Sequence, residues 1–262
     1  MTSFAIKGAA FVTGAAQGMG RAIALRLAAD GFNEDFPDVC DLPAKKSLLD
    51  GVKQEIVTNF QRESAVVLGD VSSETDVKEM VSNVTRNLGS LDVMVANAGI
   101  FRAAPLIETS SQDFDAILAT NARGVFLCYR YAALQMIAQG RGGRIIGASS
   151  IAGRTGWPGG TAYSASKFAV RGLTQVAAHE LAAHKITVNA YAPGHIATPM
   201  GEPTSDNQCG LKNSSAVQSL LGDPGSPMDV AAVVSFLASR EAHWMTASLA
   251  LQLTIDGGRL FS

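Results

Sequence analysis

Short apolar runs alternate along the chain with longer stretches in which apolar residues recur at three- and four-residue steps. Runs of the first kind predict strands, and stretches of the second predict helices with one buried face. Ala9 to Thr13 predicts an opening strand, and Gly18 to Ala29 predicts a helix that turns Ile23, Ala24 and Leu27 inward. A second strand is predicted at Asp38 to Leu42, ahead of a helix carrying Leu48, Leu49, Val52, Ile56 and Phe60 at helical spacing. Further strands are predicted at Ala65 to Leu68, Leu91 to Ala96, Gly143 to Ala148, Ile186 to Tyr191 and Leu249 to Ile255, with helices between them. Such alternation implies an α/β fold, a doubly wound parallel sheet of about seven strands with helices on both faces, because each parallel crossover needs a covering helix. No repeat or linker divides the 262 residues, so a single domain is expected. The polar, Gly- and Pro-rich stretch from Gly201 to Pro227 is expected to be a loop that covers the substrate.

Composition narrows the function classes. With 47% hydrophobic and 17% charged residues and a net charge of −2, the chain suits a well-buried sheet and offers a polyanion such as nucleic acid no electrostatic attraction. No apolar run approaches the length of a membrane span, and Met1 to Lys7 reaches a glycine turn too soon for a signal sequence. Cys40, Cys128 and Cys209 are isolated thiols without metal-type spacing, which fits a reducing compartment. A cytoplasmic protein without a membrane or nucleic-acid partner is expected. His179 and His184 suggest a zinc-protease helix at first sight. That motif needs histidines four apart, and these are five apart and point to different faces, so no metal site is expected.

Two constellations carry chemistry. Thr13-Gly14-Ala15-Ala16-Gln17-Gly18-Met19-Gly20 lies between the first strand and the first helix. Glycines there let the backbone turn tightly and approach a pyrophosphate at the helix N-terminus. Asp41, about 20 residues further on, falls where an acid at the end of a second strand bonds the ribose hydroxyls of NAD and repels the extra phosphate of NADP. Neither Gln17 nor Leu42 supplies a cation for that phosphate, although Lys45 and Lys46 stand nearby and leave NADP open. The other constellation is Tyr163 and Lys167 in Y-S-A-S-K, one helical turn apart and therefore on one face. An ammonium beside a phenol favours the phenolate and lowers the Tyr pKa, which makes the pair a candidate acid/base device.

With Thr13 to Gly20, Asn97-Ala98-Gly99, Asn121, Ser150 and Tyr163 to Lys167 in this order, the chain resembles the short-chain dehydrogenase/reductase family from end to end. The wording of Ala162 to Gln175, Pro193 to Met200 and Ile255 to Gly258 is most similar to the acetoin reductase and 2,3-butanediol dehydrogenase branch. The resemblance implies a Rossmann fold, a homotetramer, and an NAD-dependent enzyme that interconverts a secondary alcohol and a ketone, with small vicinal diols and hydroxyketones suggested by the branch. It implies Tyr163 as general acid/base, and Lys167 as the group that depresses its pKa and holds the nicotinamide ribose. It also implies Ser150 as hydrogen-bond donor to the reacting oxygen and Asn121 as anchor of a water in the proton path. Ser149 competes with Ser150, but the family pattern S-x-x-G fits Ser150 with Gly153. For the cofactor it implies Gly14, Gln17, Gly18, Met19, Gly20, Asp41, Leu42, Asp70, Val71, Asn97, Ala98, Gly99, Tyr163, Lys167, Pro193, Gly194, Ile196 and Thr198. Ile151, Trp157 and His195 are expected in the substrate pocket.

Two segments depart from the branch pattern. Asn33 to Pro37 stands where its second strand ordinarily begins, and Met245 to Thr254 is longer than its counterpart and lacks its glycine. Two rival readings stay open: an NADPH-linked carbonyl reductase of secondary metabolism, and a catalytically idle nucleotide-binding protein.

Overall fold

The computed structural model describes residues 8–36, 42–201, 219–222, 224–247 and 253–259. Seven parallel strands form one sheet: β1 (Ala9–Val12), β2 (Asn33–Phe36), β3 (Ser64–Val66), β4 (Val93–Ala96), β5 (Gly143–Ala148), β6 (Ile186–Pro193) and β7 (Leu253–Ile255). Between them run α1 (Gly18–Asp30), α2 (Leu42–Phe60), α3 (Glu74–Leu88), α4 (Ser111–Leu118), α5 (Gly124–Gln139), α6 (Thr161–Leu181) and α7 (Pro227–Ala238). The order across the sheet is β3-β2-β1-β4-β5-β6-β7.

Side chains alternate across the sheet with the two-residue period of extended backbone. Phe11, Met94, Ile145 and Val188 face one layer, where Val77, Met80, Leu127, Met136 and Val170 of α3, α5 and α6 cover them. Ala10, Val12, Val93, Val95 and Ile146 face the other, against Ile23, Leu27, Leu49, Ile56 and Val234 of α1, α2 and α7. Both faces are buried, which is why β1 and β4 read as unbroken apolar runs and not as alternating ones.

The second strand lies earlier than its pattern predicts. It occupies Asn33–Phe36, in register with Ala9 to Phe11 of β1 and with Ser64 to Val66 of β3, and not Asp38 to Leu42. Gly31 ends α1 in the left-handed region, so the chain re-enters the sheet within two residues. Ladder pairing on both sides outweighs the weak strand preference of N-E-D-F. Leu42 accordingly opens α2 where it was expected to close β2, and Asp41 lies outside the described residues.

The sheet order reverses between β1 and β4, so their carboxyl ends splay connections to opposite sides and leave a crevice there. The glycine turn leaves β1 at that crevice, and Asn97 to Gly99 leaves β4 beside it. No helix among the described residues is long and apolar enough to cross a membrane.

Candidate active site

The glycine turn is built for close approach. Gly14 and Gly18 have φ of +67° and +58°, where a side chain is strained. At Gly20 the difficulty is space: a Cβ would come within 2.1 Å of the Gly14 carbonyl oxygen and 2.6 Å of Asn97 Nδ2. Asn97 holds the turn from the neighbouring strand. Its Nδ2 donates to Thr13 O (2.9 Å) and Gly14 O (3.3 Å), while Thr13 Oγ1 accepts from the N–H groups of Asn97 and Ala98, both at 3.0 Å. Tyr191, fully buried in β6, donates from its hydroxyl to Asn97 Oδ1 at 2.8 Å. Three strands thus converge on one asparagine. The N–H groups that open α1 lack intrahelical partners and suit an anion such as a pyrophosphate.

Past the ends of β4, β5 and β6 lies a cavity of about 390 Å³. Of the residues expected at the cofactor, Met19, Asn97, Gly99, Pro193, Gly194, Ile196 and Thr198 line it. Ser150, Tyr163 and Lys167 line it as well, together with Ile151, Trp157 and His195 of the expected substrate pocket. Gly14, Gln17, Gly18, Gly20 and Ala98, in the two turns, do not line it. Asp70 and Val71 do not line it. Asp70 follows β3 and accepts from Ser72 N–H at 2.8 Å, and Val71 packs against Gly124 of α5. The main-chain N–H of Asp70 donates to Asp76, and this bond, with that from Ser73, holds the Asp76 carboxyl below its usual range.

Tyr163 and Lys167 share the cavity-facing side of α6, with the ammonium 5.4 Å from the phenol ring centroid. Lys167, 3% exposed, donates to Ala148 O at 2.8 Å. Burial lowers its pKa to about 8. The phenol moves opposite to the sequence expectation: burial raises the Tyr163 pKa, and the hydrogen bond from Ser150 opposes that rise without reversing it. Desolvation therefore sets the direction, and the Ser150 hydroxyl opposes it.

The two serines after β5 divide by direction. Ser150 Oγ accepts from Ala152 N–H at 3.1 Å and faces the phenol. Ser149 Oγ donates to Lys167 O at 3.1 Å, which ties β5 to α6. Asn121 does not line the cavity. It lies in a π-helical turn, Ala119–Arg123, that joins α4 to α5. Its Oδ1 accepts from Ile100 N–H (2.8 Å), and its Nδ2 donates to Ile100 O (2.9 Å) and Ser166 Oγ (3.2 Å). Ser166 Oγ donates in turn to Tyr163 O at 2.6 Å. Asn121 and Lys167 flank Gly99, where a Cβ would stand 3.2 Å from Asn121 Oδ1 and 3.7 Å from Lys167 Nζ.

Sequence reasoning missed four lining residues, Phe101, Ala148, Met200 and Arg259, and one support; Ser149, the competing serine, lines the cavity as well. Phe101 meets Tyr163 edge-on with centroids 5.0 Å apart and stacks on Trp157 at 6.3 Å. Met200 and Arg259 also line the cavity, and Tyr191 supports Asn97 from behind. Phe101 stands two residues after Asn97-Ala98-Gly99 and Arg259 directly after Asp256-Gly257-Gly258, so proximity to motifs was the only available signal. The thiol of Cys128 is buried in α5, and burial pushes its pKa up to about 12, so it is a packing group.

Comparison with known proteins gives the family and the fold. The short chain dehydrogenase family model matches residues 8–208. The chain is 48% identical to the short-chain dehydrogenase/reductase eriH of Hericium erinaceus, over 97% of this chain and 98% of that protein. It is 40% identical to the L-2,3-butanediol dehydrogenase of Corynebacterium glutamicum, over 97% and 98%. Among solved structures, the NAD-bound short chain dehydrogenase of Mycobacterium paratuberculosis superposes with a TM-score of 0.88 at 32% identity, over 97% of each chain.

Proposed function

Because the chain belongs to the short-chain dehydrogenase/reductase family of oxidoreductases, we propose that it interconverts a secondary alcohol and a ketone with NAD(H), on substrates of the vicinal diol and hydroxyketone class. The observation that carries this reading is the meeting of the Ser150 hydroxyl, the Tyr163 phenol and the Lys167 ammonium in one cavity. A nicotinamide cofactor supplies the hydride chemistry when bound, and the residues of the chain supply placement, protons and charge.

The turn Thr13 to Gly20 takes the pyrophosphate on its main-chain N–H groups, and Asn97 holds that turn against β4. Ile196 and Thr198 orient the carboxamide, and Lys167 and Gly99 receive the ribose. Ser150 donates to the substrate oxygen and is fixed for it by the Ala152 N–H. Tyr163 gives its proton to that oxygen as the ketone is reduced and takes it back as the alcohol is oxidised. Burial keeps the phenol protonated near neutral pH, which is the form that reduction requires. Asn121 is a positioning residue: its amide fixes Ile100 and, through Ser166, the first turn of α6. The main chain of the π-turn is left to anchor a water that resupplies protons to Lys167.

Likeness to a neighbour bound to NAD supports NAD over NADP; so does the acid Asp41, although it follows the end of β2 by five residues where it was expected at the end of that strand. The branch wording and the butanediol dehydrogenase relative support the small vicinal substrate. Phe126 and Leu134 of α5 and Phe168 and Val176 of α6 are exposed. Such apolar surface on two helices supports assembly into a homotetramer, which light scattering tests. The deciding experiment follows cofactor absorbance with diketones, acetoin and larger secondary alcohols. Turnover with NADH exceeding that with NADPH is expected, along with a loss of ~10³-fold or more in kcat for Tyr163→Phe with NADH binding retained. Near-normal turnover in Tyr163→Phe refutes the mechanism, and a preference for NADPH refutes the assignment to Asp41. No turnover of any substrate alongside tight NAD binding restores the idle nucleotide-binding reading.

A further inference from the structure

We propose that Arg259 is an anion-recognition group in the substrate pocket, and that the vicinal diols and hydroxyketones handled there carry a carboxylate. The inference rests on the alcohol/ketone reading of the site and adds the chemistry of the substrate's far end.

Arg259 follows the turn after β7, and its guanidinium carbon lies 5.6 Å over the Trp157 ring. Trp157 stacks on Phe101, and Phe101 meets Tyr163. One wall of the cavity therefore runs in contact from the phenol to a guanidinium. Stacking on an indole fixes the plane of an arginine and leaves its N–H edge available. On that edge Nη1 is buried and has no hydrogen-bond partner among the described residues, and none of the ion pairs there includes Arg259. The two carboxylates that border the adjoining cavity with Arg259 accept from main-chain N–H groups instead, Asp229 from Ser226 and Asp256 from Gly258.

A buried, unpaired donor on a charged group is costly to the protein alone. A ligand that fills the cavity and accepts from that donor removes the cost. The planar fork of a guanidinium matches a carboxylate, and a charge-assisted bond in an apolar surround is strong. Elsewhere on this wall the cavity presents Phe101 and Ile151, which offer an anion no donor, and Trp157, which offers a single neutral indole N–H. The polar groups Ser150, Tyr163 and Lys167 sit at the reacting oxygen. The cofactor pyrophosphate has its own donors in the glycine turn, so Arg259 is left to the substrate.

The test is calorimetric titration of the protein saturated with NAD, using tertiary hydroxy acids that cannot be oxidised, with the carboxylate one to three carbons from the hydroxyl carbon, and their neutral amides. At least one acid is expected to bind ~10-fold or more tightly than its amide, in line with a charge-assisted hydrogen bond. Arg259→Met is expected to abolish that preference, Arg259→Lys to keep part of it, and both to leave the KM for NADH unchanged. Equal binding of every acid and its amide by the unsubstituted protein overturns the inference without any variant. A preference that survives Arg259→Met, or a weakened cofactor in its place, overturns it too. Neutral ketones turned over by a protein blind to the carboxylate would leave the alcohol/ketone reading standing and remove Arg259 alone. Arg259-dependent binding of the acids with no ketone turned over would do the reverse.

Discussion

The Lys167 ammonium stands 5.4 Å from the centroid of the Tyr163 ring, and burial drives the pKa values of the two groups apart, the amine down and the phenol up. A lysine that titrates near 8 in the folded protein and at its ordinary 10.5 in the unfolded chain makes the unfolded state bind more protons between those values. Its contribution therefore opposes folding below pH 8 and is relieved as pH rises from about 8 toward 10.5. The unfolding free energy of the wild type minus that of Lys167→Met is expected to rise over this window. Denaturant titrations at pH 7, 8, 9 and 10 measure it, and a flat difference contradicts the buried charge.

Ser150 and Ser149 are adjacent in sequence and different in consequence. Ser150→Ala is expected to lower kcat/KM by ~10²-fold, as for loss of one donor to a developing oxyanion, and to cost about 1 kcal/mol of stability because the buried Ala152 N–H loses its acceptor. Ser149→Ala removes the bond to Lys167 O and is expected to cost about 1 kcal/mol of stability. Steady-state kinetics and denaturant melts on both variants check the split, and an equal activity loss at both positions would reject it.

Tyr191 does not line the cavity yet completes the cofactor turn. Tyr191→Phe leaves Asn97 Oδ1 without its donor and is expected to destabilise the protein by about 1–3 kcal/mol. It is also expected to raise the Kd for NADH, because Asn97 carries the carbonyls of Thr13 and Gly14. Fluorescence titration with NADH reads the second effect, and unchanged affinity would separate the asparagine from the turn.

Gly20→Ala places a methyl group 2.1 Å from the Gly14 carbonyl oxygen, a backbone atom that cannot swing aside. Overpacking of this kind costs ~1–3 kcal/mol and distorts the turn, so cofactor affinity is expected to fall by ~10-fold or more. The Gly51→Ala control, with open space around its position in the interior of α2, is expected to leave affinity unchanged and to raise stability by about 0.5–1 kcal/mol, the helix preference of Ala over Gly. The same titration compares the two.

The amino-acid sequence by itself determined the alternation of strands and helices, the glycine turn after β1, and the grouping of Tyr163 and Lys167 on one helical face. These follow from local periodicity and from backbone sterics, which act over a few residues. Tertiary structure decided the rest. The register of β2 on N-E-D-F came from ladder bonds to β1 and β3, strands far away in sequence. The direction of the Tyr163 pKa came from desolvation, which depends on everything packed around the ring and not on the lysine four residues on. Asn121 was legible as a site residue, but its bonds to Ile100 and Ser166 were not, because a π-turn shifts the facing of a helix in a way no spacing rule contains. The wall from Tyr163 through Phe101 and Trp157 to Arg259 joins residues far apart in the sequence, from 101 to 259. Only the closing of the sheet brings them to one cavity, since long-range packing has no periodic trace in the sequence.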